Sequence, residues 1–180
     1  METVKFKKLK VGAKLPKKAT SGSAAYDLYA PEDVIIKPGR QVIDLGFSME
    51  MPETIQALVN PRSGFSSKGM EGYLVLTLVQ CIPNPDANAQ CNSYKLGKEV
   101  QSVLLEPERF DCDVIEGKID SDYRGPAGVI LCNRDDRTFL IKAGTRIAQM
   151  TFMQVETVGF VETDDLSETD RDGGFGSTGA

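Results

Sequence analysis

Residues 34–61 read VIIKPGRQVIDLGFSMEMPETIQALVNP, and this stretch gives the strongest local indication of β structure. Pro38 and Gly39 interrupt its apolar pattern first, Pro52 interrupts it again and Pro61 ends it. Short β-branched runs with proline and glycine between them are typical of antiparallel strands. The stretch therefore predicts three consecutive strands, at 34–37, 41–51 and 54–59.

The same pattern returns near the C-terminal end of the chain. Polar stretches at 133–137 and 142–144 separate short apolar runs there. No long stretch shows helical periodicity, and one short helix is predicted at 63–68. Many short strands joined by turns predict an all-β sandwich, barrel or jelly roll. The additional strands are predicted at 129–132, 138–141 and 146–155.

The composition fits one domain and excludes several kinds of chemistry. Of 180 residues, 41% are hydrophobic, and 21 basic against 26 acidic residues give a net charge of −5 at pH 7. Histidine is absent, which excludes His-dependent triads and histidine metal ligands. No apolar run reaches the roughly 18 residues of a membrane helix, so no membrane association is expected. The predicted domain covers 1–165.

The four cysteines predict free thiols rather than a metal site. None forms a C-x-x-C pair, so the spacing of a zinc or thioredoxin-like site is missing. No export signal is evident, which favours a reducing compartment, with a disulfide as the alternative. We expect a cytoplasmic protein and leave nuclear or organellar targeting open. The cysteines are Cys81, Cys91, Cys112 and Cys132.

Charge is distributed unevenly along the chain. Lysines crowd residues 5–18, and acidic residues crowd 162–172. The lysine run could attract a polyanion, or it could be a solvated strand and loop. The second interpretation is favoured because the net charge is negative and no aromatic residues interleave the lysines. Direct nucleic-acid binding is therefore not expected.

Two segments depart from the regular strand pattern. At about 69–113, apolar strands at 73–80 and 100–105 flank a loop at 81–94. This predicts an inserted hairpin arm with a long tip. The glycine-rich tail, 166–180, cannot bury a core and is predicted to be flexible unless something holds it.

Three polar clusters carry the chemistry. In the cluster at 61–64, Arg62 and Ser63 begin the predicted helix and suit a phosphate, although a capped helix would look the same. In 117–125, acids between glycines could orient a water, or form a solvated turn. In 171–179, one aromatic among glycines and hydroxyls could stack on a base, or belong to a linker.

Five stretches, in this order, resemble the motifs of the trimeric dUTP diphosphatases (dUTPases). The resemblance implies a jelly-roll-like β-barrel protomer of a homotrimer, with a flexible C-terminal lid. It implies hydrolysis of dUTP to dUMP and pyrophosphate with Mg²⁺. Each site would take its first, second and fourth motifs from one chain, the third from the next and the tail from the last. The stretches are 25–28, 61–64, 117–125, 146–150 and 175–179.

The resemblance implies roles for the third motif, carried over position by position. Asp120 would activate the water that attacks the α-phosphorus. Tyr123 would pack under the deoxyribose, where a 2′-hydroxyl would clash. Gly117 and Ile119 would lie in the hairpin whose backbone reads the uracil edge.

The other motifs would hold the phosphates and the metal. Asp27 and Gln149 would hold Mg²⁺ through water, with no direct protein ligand, which suits an ion that dehydrates reluctantly. Phe175 would stack on uracil. The implied phosphate contacts are Arg62, Ser63 and Gly64 and, in the tail, Arg171, Gly176, Ser177 and Thr178.

The chain also departs from the family pattern. Gly64 and Gly117 are 53 positions apart. This spacing is about 40 residues longer than the spacing usual between these motifs in the dUTPase family. A surface loop accommodates such an insertion at small entropic cost. The arm is therefore a possible surface for a protein partner. Arg171 stands one residue closer to Phe175 than is usual, and Asp172 follows it.

Two alternatives remain beside the diphosphatase. The first is a dCTP deaminase, or a bifunctional enzyme, of the same superfamily. The second is a regulatory module that senses dUTP and uses its arm to hold a partner. The chain keeps Asp120 and Tyr123, which a catalytically dead regulator would be expected to lack.

Overall fold

The structure, a computed structural model, describes residues 2–83 and 94–169, with the backbone alone at 78–83, 94–101 and 105. Within these residues the chain forms thirteen strands and one helix, which confirms the predicted all-β class. The helix, α1, spans Ser63–Lys68, where the sequence predicts it. The strands are β1 Lys5–Lys8, β2 Tyr26–Tyr29, β3 Val34–Ile36, β4 Gly39–Asp44, β5 Phe47–Glu50, β6 Ile55–Asn60, β7 Met70–Pro83, β8 Tyr94–Phe110, β9 Cys112–Ile115, β10 Gly117–Ile119, β11 Gly128–Asn133, β12 Thr138–Ile141 and β13 Arg146–Gln154.

The described strands form four antiparallel sheets. Their orders are β1-β5, β10-β6-β13-β2, β4-β11-β9 and β3-β12-β7-β8. Strands far apart in sequence are neighbours, such as β6 with β13 and β4 with β11. This arrangement is a jelly-roll-like β fold.

The core follows from alternation along the strands. In β11, Val129 and Leu131 are fully buried while the residues between them are half-buried. In β6, Ala57 and Val59 are likewise buried and alternate with half-buried residues. The sheets therefore bury one apolar face each, and the opposite face of β6 remains available for polar side chains.

The single strand predicted at 41–51 is wrong. The structure has two strands there, because Leu45 and Gly46 form a break. Gly46 adopts a φ of 74°, its N–H donates to the Asp44 carboxylate at 2.7 Å, and a Cβ would meet Lys10 Cβ at 2.9 Å. A left-handed turn of this kind favours glycine and ends the strand.

The arm is rooted in the core, so the predicted boundaries at 69–113 are too wide at the base. Residues 73–75 of β7 pair with β12. Met70 and Phe110, at the two ends of the arm, are buried, and the Phe110 ring stacks on Phe139 with centroids 4.0 Å apart. Removing the whole segment would therefore remove part of the core.

The arm strands are also longer than predicted. β7 and β8 extend beyond 73–80 and 100–105, and only 84–93 of the predicted loop lies outside the described residues. Pro107 does not end β8, since it lies opposite Tyr73 where the register shifts. A bulge lets a strand accept a proline without losing its pairing elsewhere.

The short strands β2, β9 and β10 were not predicted. Each has three or four residues and contains polar or glycine positions, so its periodicity is too short to read. In β1 the lysines are exposed, and Lys5 pairs with Glu50 at 2.6 Å. This supports the solvated-strand interpretation of the lysine run.

Two of the cysteines are free thiols, as predicted. Burial raises the pKa of the Cys112 thiol to about 12, so it stays protonated and packs as an apolar side chain. Cys132 is also free. Cys91 and the side chain of Cys81 lie outside what the structure describes. No helix within the described ranges is long and apolar enough to cross a membrane.

Candidate active site

Strand register places three polar residues in one row. Asp27 of β2 lies opposite Gln149 of β13, which lies opposite Asn60 of β6. Directly opposed residues point to the same face of a sheet. Their neighbours Leu28 and Val59 point the other way into the core. The row therefore lies on the face of this sheet opposite the core.

Asp27 is the charged centre of this row. Asp27 is 8% exposed, and both of its carboxylate oxygens accept hydrogen bonds from arginine side chains. Arg62 Nε donates to Oδ1 at 2.9 Å, and Arg146 Nη1 donates to Oδ2 at 3.4 Å. Two guanidiniums around one carboxylate leave a net positive charge beside the row. The pairing offsets the cost of burying the carboxylate and fixes both arginines.

The first cleft, of about 340 Å³, lies beside these residues. Arg62 is the residue before α1, and Phe65 and Ser66 both donate their N–H groups to its carbonyl. A Cβ built on Gly64 would meet nothing within 4 Å, so the fold itself does not require glycine there. The lining includes Asp27, Arg62, Ser63, Gly64, Gln149 and Thr151.

A larger cationic cleft, of about 660 Å³, adjoins the first. Arg62 lines both, and Arg146 lines the larger one together with Lys68 and Arg109. Glu71 lines it as well and pairs with Arg109 at 3.7 Å. The surroundings of Arg62 are therefore predominantly positive, which suits an anionic ligand.

Gln149 is held by the end of the neighbouring strand β6. Its Nε2 donates to the Pro61 carbonyl at 2.9 Å. Beside it, Asn60 Oδ1 is buried and has no hydrogen-bond partner among the residues that the structure describes. No group of three or more Cys, Asp or Glu side chains in the described ranges could hold a metal directly.

The second cleft, of about 290 Å³, lies along β10 and the loop after it. Ile119 is 9% exposed and belongs to the core, whereas Asp120 is exposed. Gly117 faces open space, since a Cβ there would meet nothing within 4 Å. The lining includes Val59, Gly117, Ile119, Asp120, Tyr123 and Pro126.

The loop after β10 positions Tyr123. Its backbone N–H donates to the Asp120 carbonyl at 3.2 Å, and its hydroxyl donates to the Pro126 carbonyl at 3.2 Å. The ring lies over Gly125, where a Cβ would meet the hydroxyl oxygen and ring carbon Cζ of Tyr123. Gly125 is therefore required for this ring position. Tyr123 remains 47% exposed, so it is accessible to a ligand.

Within one chain the two clefts do not meet. Ile119 lies opposite Ala57, and β10 runs antiparallel to β6, so Asp120 continues alongside Gln56. Gln56 precedes Asn60 by four residues, which is about 13 Å of strand. The chain therefore carries Asp120 away from the polar row.

The structure thus groups the predicted residues into two sets. Asp27, Arg62, Ser63, Gly64 and Gln149 share the first cleft, and Gly117, Ile119, Asp120 and Tyr123 share the second. The predicted tail residues Arg171, Phe175, Gly176, Ser177 and Thr178 lie outside the described residues. Sequence reasoning missed Arg146 and Asn60. Arg146 stands inside a quoted motif, whereas Asn60 becomes visible only through register.

The fold and the clefts define a class of protein. It is a jelly-roll-like β protein whose first cleft has positive surroundings and whose second cleft bears an exposed carboxylate. The sequence model of the dUTPase family matches residues 12–79 and 111–179. The chain belongs to the dUTPase family. The match leaves out 80–110, so the extra segment is narrower than the motif spacing alone predicts.

Named relatives match nearly the whole chain. A deoxyuridine 5′-triphosphate nucleotidohydrolase of Clostridium tetani is 35% identical over 179 residues, covering 98% of this chain and 97% of that protein. The enzyme of the same name in Hydrogenobaculum is 38% identical over 176 residues, covering 96% of this chain and 95% of that protein. The matches span the arm, so these relatives are of similar length.

Solved structures share the fold. The dUTPase of Staphylococcus bacteriophage 80alpha with dUPNHPP has a TM-score of 0.71 at 22% identity, covering all of both chains. A mutant dUTPase from phage phi11 of S. aureus, described with a structural Mg(II) ion, has a TM-score of 0.63 at 19% identity, covering 91% of this chain and 97% of that one.

Proposed function

We propose that this protein hydrolyses dUTP to dUMP and pyrophosphate. The observation that carries the proposal is the first cleft, which the register of β2, β13 and β6 builds and whose surroundings are predominantly positive. The chain belongs to the dUTPase family, and its named relatives are deoxyuridine 5′-triphosphate nucleotidohydrolases. The reaction limits uracil incorporation into DNA and supplies dUMP for thymidylate synthesis.

The first cleft receives the triphosphate. Arg62 is held by Asp27 but is still partly exposed, so it offers a fixed guanidinium to phosphate oxygens. The Ser63 hydroxyl adds a donor, and Gly64 lets phosphate approach the backbone because no side chain fills the space. The positive surroundings of Arg62 attract the polyanion.

The second cleft receives the nucleoside. The open space at Gly117 leaves room for the uracil edge against the backbone of β10, next to the buried Ile119. The exposed face of Tyr123 packs under the deoxyribose, which excludes a 2′-hydroxyl. Discrimination by shape requires a fixed ring, and Gly125 and the Pro126 carbonyl fix it.

Asp120 is the proposed general base. Its carboxylate removes a proton from a water molecule, whose oxygen forms a bond to the α-phosphorus. The bond from the α-phosphorus to the bridging oxygen of the β-phosphate breaks, and its electron pair leaves with pyrophosphate. A positioned base supplies about 10²–10⁴-fold of the acceleration. Positioning and charge neutralisation by Arg62 and its neighbours contribute the remainder.

Mg²⁺ is the proposed cofactor, and it supplies neutralisation of the phosphate charges. Asp27 and Gln149 would hold it through water. Both oxygens of Asp27 already accept hydrogen bonds from arginines, so a directly bound ion would have to displace them. The free Oε1 of Gln149 and the buried Oδ1 of Asn60 fit an ion that keeps its water shell.

The active site is proposed to form between chains of a homotrimer. Within one chain Asp120 continues alongside Gln56, about 13 Å along β6 from the polar row, so we propose that a neighbouring chain supplies it to that cleft. A three-fold ring of identical contacts completes three sites at once. A third chain would lend the lid, in which Phe175 stacks on uracil and Arg171, Gly176, Ser177 and Thr178 contact the phosphates.

The arm is a possible surface for a protein partner. Leu76, Val103 and Leu104, near its described base, are each about two-fifths exposed. Exposed apolar residues that cluster are typical of interaction surfaces. We also place the protein in the cytoplasm, where its free thiols Cys112 and Cys132 would stay reduced.

A substrate panel tests the proposed function. The purified protein with Mg²⁺ is given dUTP, dTTP, dCTP or UTP, and pyrophosphate release is measured. We expect release from dUTP alone, because the backbone of β10 reads the uracil edge and a 2′-hydroxyl would clash with Tyr123. Ammonia released from dCTP would instead support the deaminase alternative, and no release from dUTP would contradict the proposal.

A further inference from the structure

Asn60 has a buried acceptor without a partner. Its side-chain Oδ1 is shielded from solvent and receives no hydrogen bond from any residue in the described part of the chain. Buried polar atoms in folded proteins almost always have a partner, from the protein, a water or a ligand. An unpartnered acceptor that shares its strand register with Gln149 and Asp27 therefore indicates a donor that binding brings.

The position of Asn60 defines where that donor comes from. It lies directly opposite Gln149, in the row that ends at Asp27, and it immediately precedes Pro61, whose carbonyl holds Gln149. Neighbouring strands are about 4.8 Å apart, so Oδ1 is one strand from Gln149. Asn60 thus belongs to the same polar row as the two residues proposed to hold Mg²⁺ through water.

The observed hydrogen bonds of its neighbours go to other acceptors. The Nε2 of Gln149 donates to the Pro61 carbonyl, and the Nε of Arg62 donates to Asp27. A hydrated divalent cation presents O–H donors in several directions. A neutral amide accepts from them without adding negative charge beside a triphosphate, which a carboxylate would do.

We propose that Asn60 accepts a hydrogen bond from a water bound to the Mg²⁺ that accompanies the triphosphate. The proposal rests on the proposed function. Asn60 is a positioning residue: it orients the hydrated ion through Oδ1, and it does not touch the reacting phosphorus. Outer partners of this kind typically change metal affinity about 10- to 100-fold when they are removed.

The test measures how tightly the full-length protein binds a non-hydrolysable imido analogue of dUTP as Mg²⁺ is titrated, with EDTA as the metal-free reference. Asn60→Leu keeps the branched shape of the side chain and removes the acceptor. We expect the Mg²⁺ concentration for half-maximal tightening to rise about tenfold or more, with metal-free affinity unchanged. Gln56→Ala, on the same face of β6 but away from the row, is the control and should titrate like wild type.

A second variant keeps the proposal testable if Asn60→Leu folds poorly. Asn60→Asp retains an acceptor, so we expect a Mg²⁺ requirement at or below that of wild type, with weaker metal-free binding because its charge repels phosphate. An unchanged Mg²⁺ titration in both variants would overturn the role of Asn60. An equal loss of affinity for the analogue with and without Mg²⁺ would do the same, and neither result would bear on the proposed function. A wild-type protein that binds the analogue under neither condition would instead contradict the proposed function.

Discussion

The two clefts differ in how completely one chain builds them. In the first cleft, Asp27 is buried and fixes two arginines, and Gln149 is held by a backbone carbonyl. In the second, Asp120 is exposed, and open space faces Gly117. The first cleft is organised by ion pairs and hydrogen bonds before a ligand binds, whereas the second presents an exposed carboxylate. Under the proposed function, phosphate binding and proton transfer depend on residues of different chains.

Removing the base should have the largest effect. Asp120→Asn keeps the shape of the side chain but cannot accept the proton, so we expect kcat to fall by about 10²–10⁴-fold or more. Affinity for the imido analogue should stay unchanged. Asp122→Asn, an exposed acid two residues later, is the matched control and should turn over normally. Normal turnover of Asp120→Asn would remove Asp120 from the mechanism.

Removing the anchor of the first cleft should affect both stability and binding. Asp27→Asn leaves Arg62 and Arg146 without their carboxylate, so we expect the free energy of unfolding to fall by about 1–3 kcal/mol. The KM for dUTP should rise because Arg62 loses its position. Urea unfolding and steady-state kinetics measure both.

The matched control for this anchor is Asp33→Asn. Asp33 pairs with Lys142 at 3.0 Å on the surface, away from the clefts, so its loss should leave KM unchanged. If Asp27→Asn behaved like this control, the first cleft would not depend on the buried carboxylate.

Filling the open space of the second cleft should change recognition without changing stability. We expect Gly117→Ala to keep the melting temperature and raise the KM for dUTP about tenfold, as one badly placed methyl group does in a fitted pocket. Gly22→Ala, also beside open space, is the control. An unchanged KM would show that no ligand occupies the space at Gly117.

Shortening the arm should have the smallest effect. Leu76 and Ser102 are paired across the arm, so an Asn-Gly turn can join them in place of 77–101 while Tyr73 and Phe110 stay in the fold. We expect kcat/KM for dUTP to stay within about twofold, because none of the core residues that the structure describes comes from 77–101. A large loss of activity or of the trimer would show that the outer arm is structural.

The sequence was most informative where local chemistry determines structure. Pro38, Pro52 and Pro61 lie just beyond the ends of β3, β5 and β6, as predicted, and α1 fell where it was predicted. The break at Gly46 was missed because it depends on a contact with Lys10, far away in sequence. The arm boundaries were too wide because Phe110 is recruited into the core by Phe139, which no local pattern records.

The candidate site shows the same division. The resemblance to the dUTPase motifs pointed to Asp27, Arg62 and Gln149. Their mutual arrangement depends on the register of β2, β13 and β6, which the sequence does not specify directly. Asn60 was missed for this reason, because only its position opposite Gln149 distinguishes it from any other strand residue.

Each active site is proposed to combine the phosphate cleft of one chain with Asp120 of another. The most direct test unfolds and refolds an equal mixture of two inactive variants, Asp120→Asn and Arg62→Ala, and measures dUTP hydrolysis. With shared sites, about one quarter of them combine an intact Arg62 with an intact Asp120, so about one quarter of wild-type activity should return. No recovery above the two variants measured separately, or full activity in a monomeric protein, would contradict the account.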